Sequence, residues 1–192
     1  MSEGKRALRS ELIRARARIT PEERAAKSRA IADRIEQVPA LLEAQTLAVY
    51  APLGTEVDTT EIARRAIARG VRVVFPRAVS GDRSLAFALA DPAALVRGPL
   101  GSSEPPPDAP AVALHEIDCI VVPGVAFSED GVRLGRGGGH YDATLERMPR
   151  AARVGITFDA LIVPALPREP HDAPVDAIVS EARILVLTRE SR

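Results

Sequence analysis

Residues 131–142, GVRLGRGGGHYD, combine residue types that bind anions. Glycines let backbone N–H groups approach a phosphate closely, and the guanidinium groups of Arg133 and Arg136 can each bind two of its oxygens. Asp142 adds a carboxylate that can hold a hard cation such as Mg²⁺. The stretch is therefore a candidate cradle for an anionic ligand, although a glycine-rich hairpin with solvated arginines would have the same composition.

The spacing of this stretch excludes the two familiar phosphate loops. A Walker loop that starts at Gly135 needs Gly-Lys-Ser/Thr from position 140, where His140 stands. A dinucleotide fingerprint that starts at Gly135 or Gly137 needs its third glycine at His140 or Asp142. A phosphate bound here requires a different loop geometry.

The composition is that of an ordinary globular protein without a global charge. Of the 192 residues, 46% are hydrophobic and 27% are charged, and 26 basic residues balance 26 acidic ones, so any basic site is local. No apolar run resembles a signal peptide or a membrane span, and we expect a cytoplasmic protein. The single cysteine, Cys119, lies among apolar residues and is predicted to be a buried thiol.

Two helices are predicted at the N-terminus. Apolar positions from Leu8 to Ile19 recur at helical spacing, and a different face of the first helix carries three cations, Lys5, Arg9 and Arg16. The segment TPEER supplies an N-cap threonine, a first-turn proline and a glutamate for a capping box, so a second helix should run from Thr20 to about Gln37.

Beyond these helices, short apolar runs alternate with helical stretches. The runs TLAVYAP, VRVVFPR, SLAFALA, IDCIVVPG and RVGITF predict strands, and DAIVSEARILVL predicts two more joined by a turn. TTEIARRAIARG predicts a helix capped by Thr59 or Thr60, and another is expected from about Tyr141 to Met148. The proline-rich residues 91–112 are predicted to be a surface loop.

This alternation predicts an α/β fold of about six strands, because strand–helix–strand units favour parallel pairing. We expect a single domain over residues 1–192, with the helices at about 4–37 and the α/β core at about 46–188. The glycine loop then follows the strand CIVVPG and precedes a helix N-terminus, which is where open sheets place their ligands.

The segment VVPGVAFSEDGVRLGRGGGHYDATL resembles the signature of the 5-formyltetrahydrofolate cyclo-ligase family, also called the 5,10-methenyltetrahydrofolate synthetases. KRALRSEL, YAPLGTEVDT, FPR at 75–77 and EPHDAPVDAIVSE resemble further blocks of the family in the same order. Together they extend over about residues 5–180. The resemblance implies a three-layer α/β/α fold with a mostly parallel central sheet, like that of ribose-phosphate isomerase and CoA-transferase-like proteins.

The resemblance also implies a ligase that uses ATP and Mg²⁺ to convert 5-formyltetrahydrofolate to 5,10-methenyltetrahydrofolate, with release of ADP and phosphate. The formamide oxygen is a poor leaving group, so it is phosphorylated first, N10 attacks the activated carbon, and phosphate departs. Such a reaction requires two aligned ligands and screened phosphate charge. We expect a monomer that binds these small molecules and neither nucleic acid nor membranes.

On the phosphate side, the resemblance assigns ATP to the glycine loop and the first helix. The expected catalytic residues are Arg133, Arg136 and Lys5. The expected ATP-binding residues are Lys5, Arg9, Arg133, Gly135, Arg136, Gly137, Gly138, Gly139, His140 and Tyr141. Asp142 and Asp172 resemble the family's magnesium-side acids. His140 stands where many relatives carry an aromatic residue, so its role is left open.

On the folate side, the expected binding residues are Tyr50, Leu53, Glu56, Phe75 and Leu100. Glu56 matches a family carboxylate near the pterin, and a carboxylate can accept two hydrogen bonds from a 2-amino-pyrimidinone edge. Relatives often carry an aromatic residue in the segment that corresponds to VRGPLGSSEPP, which has none. Stacking on the pterin therefore falls to Tyr50, Phe75 or Tyr141.

Three other functions are open on the sequence. A relative that binds ATP but has altered or lost folate activity would fit the missing aromatic residue. A zinc enzyme would use His115, His140 or His171, none of which has metallohydrolase spacing. A nucleic-acid-binding protein could use residues 1–34, which hold ten basic and five acidic residues, although docking of the first helix on the sheet explains the same pattern.

Overall fold

The computed structural model describes residues 3–99, 101–169 and 172–187. The α-helices in these residues are α1 (Glu3–Ala17), α2 (Pro21–Ile35), α3 (Pro39–Leu42), α4 (Thr60–Ala68) and α5 (His140–Glu146). The strands are β1 (Thr46–Ala48), β2 (Arg72–Ala78), β3 (Leu85–Leu89), β4 (Val96–Arg97), β5 (Ser103–Glu104), β6 (Ala111–Val112), β7 (Cys119–Pro123), β8 (Ala126–Ser128), β9 (Arg133–Leu134), β10 (Ala152–Ile156), β11 (Ile162–Val163), β12 (Ala177–Val179) and β13 (Ile184–Val186).

Eight strands form the central sheet, in the order β13-β12-β10-β7-β1-β2-β3-β6. The five strands from β12 to β2 run parallel, and β13, β3 and β6 pair antiparallel at the two edges. The prediction of a mostly parallel α/β sheet is confirmed, with two strands more than the expected six. The chain winds from β1 to β2 in one direction and from β7 to β10 and β12 in the other, so a ligand crevice is expected outside the carboxyl ends of β1 and β7.

Helices on both faces bury the two sides of this sheet. Ile31, Ile35 and Ile62 of α2 and α4 belong to one apolar cluster, together with Leu12 of α1 and alternate residues of the strands. Leu145 of α5 belongs to a second cluster on the opposite face. Alternation along buried parallel strands supplies apolar residues to both clusters, which produces the predicted three layers.

The local signals at the helix ends were partly right. Helix α2 begins as predicted. Thr20 Oγ1 accepts a hydrogen bond from the Glu23 backbone N–H at 3.2 Å, and the Glu23 carboxylate accepts one from the Thr20 backbone N–H at 3.0 Å. Helix α4 begins after the predicted N-cap residue, Thr59, but the Thr59 side chain makes no capping hydrogen bond. Thr59 directs its hydroxyl to the Tyr50 carbonyl at 2.6 Å, and the Thr60 N–H is capped by Asp58 at 2.9 Å.

Two irregular regions differ from the sequence predictions. The proline-rich segment predicted as a loop contains the β4–β5 hairpin and the edge strand β6. The β8–β9 hairpin stands between β7 and the glycine loop, because a turn with Gly131 at φ 89° folds the chain back and lets β8 pair with β9 and β11. The glycine loop, residues 135–139, therefore follows β9 and not β7. Among the described residues, no helix has both the length and the apolar composition needed to cross a bilayer.

Candidate active site

A cavity of about 440 Å³ opens at the carboxyl ends of β1, β2 and β7. One wall is formed by residues that follow β1, including Tyr50, Leu53 and Glu56, and another by residues 123–125 at the end of β7. The glycine loop, helix α1 and the β4–β5 hairpin close the remaining sides. Its volume and its position at the reversal of strand order are those of a small-molecule site.

Most of the residues proposed from the sequence line this cavity. They are Lys5, Arg9, Tyr50, Leu53, Glu56, Arg133, Gly135, Arg136, Gly137, Gly138, Gly139, His140, Tyr141, Asp142 and Asp172. Phe75 does not, because its side chain points into the apolar cluster under α4 and is 2% exposed. The next residue along β2, Pro76, lines the cavity instead, as expected from strand alternation. Leu100 lies outside the described residues.

Arg133 is fixed where the glycine loop meets the end of β7. Its guanidinium donates to the Pro123 carbonyl at 3.2 Å and to Asp142 Oδ1 at 2.6 Å, and it lies 5.7 Å from the centroid of the Tyr141 ring. The Arg133 Nε atom is buried and has no hydrogen-bond partner within the part of the chain that is described. A Cβ on Gly135 would come within 2.7 Å of this guanidinium, so only glycine leaves the arginine in place.

The loop reaches helix α5 through two left-handed glycines. Gly137 has φ 104° and Gly139, the N-cap of α5, has φ 72°, a region that non-glycine residues rarely adopt. Helix α5 is seven residues long, so its dipole adds little, and Asp142 lies within its first turn instead of at its start. His140 Nδ1 lies 2.9 Å from the Arg83 carbonyl oxygen, and its hydrogen bond ties the loop to the segment before β3.

Helix α1 buries its basic face. Lys5, Arg9 and Arg16 are each less than 10% exposed, whereas Leu12 is the one fully buried member of the apolar stripe. Lys5 Nζ contacts Asp172 Oδ2 at 2.9 Å and Glu169 Oε2 at 3.3 Å, and Arg9 Nε donates to the Gly135 carbonyl at 2.7 Å. The basic side chains of α1 are therefore part of the site and do not form a solvated surface.

Glu56 and Arg136 join the two sides of the cavity. Arg136 Nε lies 2.9 Å from Glu56 Oε1, and the Arg136 Nη2 atom donates to the Leu53 carbonyl at 2.8 Å. The second carboxylate oxygen of Glu56 accepts from the Leu53 N–H at 2.9 Å. The Glu56 side chain is 8% exposed and that of Arg136 is 45% exposed, so the arginine is the more solvent-accessible partner.

Two tyrosines beside these charges stay neutral. Burial, reinforced by the negative charge of Glu56, raises the pKa of Tyr50 and of Tyr141 well above the ordinary value for tyrosine. The Tyr50 hydroxyl donates to the Val57 carbonyl at 3.1 Å. Neither phenol can act as a base near neutral pH, so both supply apolar ring surface.

The carboxylates suit a metal that takes most of its ligands from elsewhere. Asp142 pairs with Arg133, and Asp172 pairs with Lys5. Residues 3–99, 101–169 and 172–187 contain no group of three His, Cys, Asp or Glu side chains that could enclose a metal ion. Mg²⁺ commonly binds one or two carboxylates and completes its shell with water and phosphate oxygens, so these two acids fit it.

The crevice thus belongs to an α/β protein with a charged small-molecule site at the point where the strand order reverses. Its walls hold five cations, Lys5, Arg9, Arg83, Arg133 and Arg136, and five carboxylates, Glu56, Glu104, Asp142, Glu169 and Asp172. The chain belongs to the 5-formyltetrahydrofolate cyclo-ligase family, whose sequence pattern matches residues 1–181. The resemblance found in the sequence is therefore confirmed.

Individual relatives agree with this assignment. A 5-formyltetrahydrofolate cyclo-ligase of Escherichia coli K12 is 33% identical over 179 residues, 90% of this chain and 98% of the relative. One from Mycolicibacterium smegmatis is 32% identical over 154 residues, 77% and 79% of the two chains. The NMR structure of the 5,10-methenyltetrahydrofolate synthetase of Aquifex aeolicus superimposes with a TM-score of 0.84 at 30% identity, covering 98% of this chain and 94% of that one.

A second solved structure, a 5,10-methenyltetrahydrofolate synthetase of Mycoplasma pneumoniae, has a TM-score of 0.76 at 23% identity, covering 92% of this chain and 98% of that one. At this identity the likeness concerns the fold alone.

The sequence analysis missed several residues at the site. Arg83 and Glu104 line the cavity from segments whose loop geometry has no sequence signature. Glu169 joins Lys5 beside Asp172. Arg16 was placed on the basic face of α1 but received no role. Its spacing of seven residues from Arg9 is the signal that places both on one side of the helix.

Proposed function

We propose that the protein is a 5-formyltetrahydrofolate cyclo-ligase, which uses ATP and Mg²⁺ to form 5,10-methenyltetrahydrofolate and releases ADP and phosphate. The observation that carries the proposal is the joining of two kinds of recognition group in one crevice. Glu56, suited to a pterin edge, lies beside the arginines of the glycine loop, suited to phosphate. The names of the relatives from Escherichia coli and Mycolicibacterium smegmatis support the same activity.

On the phosphate side, Arg133, Arg9 and Lys5 would bind the triphosphate with the glycine loop. The Arg133 Nε atom, which is buried without a hydrogen-bond partner among the described residues, supports this role, because it suits a ligand oxygen close to the loop backbone. ATP supplies the phosphoryl group that turns the formyl oxygen into a leaving group. Asp142 and Asp172, which already balance Arg133 and Lys5, would hold the magnesium ion.

On the folate side, Glu56 would accept hydrogen bonds from the pterin. Its Oε1 now accepts from Arg136, so the bound pterin takes over this oxygen and Arg136 becomes available to phosphate. Tyr50 and Tyr141 are the aromatic residues that line the cavity in the described part of the chain, and they replace the aromatic residue missing from 96–107. The β4–β5 hairpin contributes Ser102, Ser103 and Glu104 to the wall and limits the access of water.

The chain's own groups act mainly by orientation and charge. The arginines keep their charge at any working pH, so they neutralise the phosphate without taking part in proton transfer. Fixing both ligands in one crevice brings the formyl oxygen into line with the phosphoryl group of ATP and holds N10 near the formyl carbon that it attacks next, which supplies the entropic part of the acceleration. The monomeric state and the cytoplasmic location stay predictions.

Turnover tests the proposal directly. Purified protein with 5-formyltetrahydrofolate, ATP and Mg²⁺ should generate the methenyl chromophore in the near ultraviolet, and reactions without ATP or without Mg²⁺ should not. A folded protein that binds both ligands but yields no chromophore would favour the drifted relative over the enzyme, since residues 96–107 carry no aromatic residue.

A further inference from the structure

Arg16 connects the two sides of the crevice from behind. It lies on α1 two turns after Arg9 and is 3% exposed. Its Nε donates to Thr55 Oγ1 at 3.1 Å, and its Nη1 donates to the Gly124 carbonyl at 3.2 Å. One guanidinium therefore links the turn after β1 to the segment after β7.

Arg16 acts on the cavity only through these neighbours. It is not among the lining residues, whereas Gly124 is, and Thr55 directly precedes Glu56. The turn at 53–56 has two other supports, the Leu53–Glu56 hydrogen bond within it and the contact from Arg136 outside it. A bound ligand would draw Arg136 away, so the contact from Arg16 would still hold the turn to another segment during binding.

A structural role alone does not account for a charged group at this place. Burial lowers the pKa of Arg16, and the nearby charge of Arg136 lowers it further, against the opposing effect of Glu56. Burying a guanidinium costs several kcal/mol before its contacts are made, and apolar residues of similar volume are often at least as stabilising. Methionine at this position would pack on the sheet, but it would not set the distance between Thr55 and Gly124.

We propose that Arg16 is a positioning residue for folate binding, which holds the Thr55–Glu56 turn against Gly124 so that the Glu56 carboxylate faces the pterin. The inference rests on the proposed cyclo-ligase function and on the proposed pterin contact of Glu56. It makes Arg16 different in kind from Lys5 and Arg9, which share its helix face but line the cavity themselves.

Steady-state kinetics of three variants test this role. In Arg16→Met and Thr55→Val we expect the KM for 5-formyltetrahydrofolate to rise about tenfold, as for the loss of a hydrogen bond to a charged group, while the KM for ATP changes by less than about twofold. Arg16→Lys keeps the charge and one contact, so it should recover part of the affinity. The double variant Arg16→Met/Thr55→Val should be no worse than Arg16→Met, because both changes remove the same contact.

Arg14→Met is the matched control. Arg14 lies on the same helix, is exposed and, among the residues that the structure describes, donates to the Ser10 carbonyl of its own helix, so the kinetics of the variant should equal those of the starting protein. If Arg16→Met fails to fold, Arg16→Lys and Thr55→Val carry the comparison.

Two results would overturn the inference while the proposed function stands. One is an unchanged folate KM in Arg16→Lys and Thr55→Val. The other is an equal rise in both KM values together with a lower melting temperature, which would mean that Arg16 only stabilises the fold. Absence of turnover in the unaltered protein would instead overturn the proposed function, and the inference with it.

Discussion

The pair formed by Arg136 and Glu56 is the contact that each proposed substrate has to rearrange. We predict that Arg136→Ala weakens ATP binding about tenfold, as for a lost charge-assisted hydrogen bond, and leaves folate binding intact or stronger because Glu56 is released. Calorimetric titration with a non-hydrolysable ATP analogue, and separately with 5-formyltetrahydrofolate, measures both effects. Arg64→Ala is the control, since Arg64 is exposed on α4 and its ion pair within the described residues is with Glu61 of the same helix. Equal loss of both ligands would indicate misfolding instead.

Substitution of Glu56, the other partner of this pair, should affect the binding of folate and not that of ATP. Glu56→Ala should weaken the binding of 5-formyltetrahydrofolate by about tenfold or more and leave the affinity for the ATP analogue unchanged, since a pterin amine would lose its acceptor. Glu56→Gln keeps the size of the side chain and one acceptor oxygen, so its folate affinity should fall between those of Glu56→Ala and the starting protein. A folate dissociation constant that is the same in all three proteins would remove Glu56 from the site.

At the scale of the elements, helix α2 tests how far local signals alone stabilise the fold. Thr20→Ala removes the capping box at its N-terminus and should lower the free energy of unfolding by about 1 kcal/mol. Chemical denaturation measures the change, and turnover should stay the same because Thr20 is remote from the cavity lining. Ser10→Ala, an exposed position inside α1, is the control that should cost nothing. A Thr20 variant as stable as the control would mean that α2 is held by packing alone.

The elements also show what the sequence could predict. Strand runs, the α2 cap and the glycine loop were recognisable because each depends on neighbouring residues. The buried face of α1 was not, since its charges are satisfied by Asp172, Glu169 and the Gly135 carbonyl, which are more than a hundred residues away. Phe75 was misplaced for a similar reason. The alternation of a strand predicts that the side chains of successive residues point to opposite faces of the sheet, but it does not show which face borders the cavity.

The site residues also divide into those that the sequence could identify and those that depend on tertiary packing. Residues from Gly135 to Asp142 were singled out by their types and given roles by the family resemblance, and those at 50–56 were found by resemblance alone. Arg83 reaches the cavity from the loop before β3 and Glu104 from the two-residue strand β5, and the paths of both segments depend on tertiary packing. The β8–β9 hairpin between β7 and the glycine loop was missed because two-residue and three-residue strands carry too few positions for a pattern.

For the whole molecule, three buried acids predict a loss of stability at alkaline pH. Burial raises the pKa of the Cys119 thiol to about 12, and the pKa values of Tyr50 and Tyr141 are also raised. These groups stay protonated in the folded protein and ionise in the unfolded chain, so the stability they contribute is complete below about pH 8.5 and declines as the pH rises.

The thiol should account for the first part of this loss. Between pH 7.5 and pH 9.5 we expect Cys119 alone to remove roughly 1 kcal/mol from the free energy of unfolding. Urea unfolding at the two pH values measures it, and Cys119→Ala should show a smaller decline over the same interval. An identical decline in both proteins would contradict the buried-thiol explanation.

The ion pair between Lys5 and Asp172 joins residues 167 positions apart in the chain. During translation, α1 leaves the ribosome with its basic face complete, but the acid that it meets in the folded protein is made roughly 10–30 s later at ordinary elongation rates. Most of the parallel sheet can assemble in that interval, whereas the crevice still lacks the wall that contains Asp172. Nascent chains released before residue 172 would therefore contain β1, β2, β7 and β10 and still lack a finished site, and a pulse-labelled series of stalled chains would gain ligand-dependent protease resistance only at its last step.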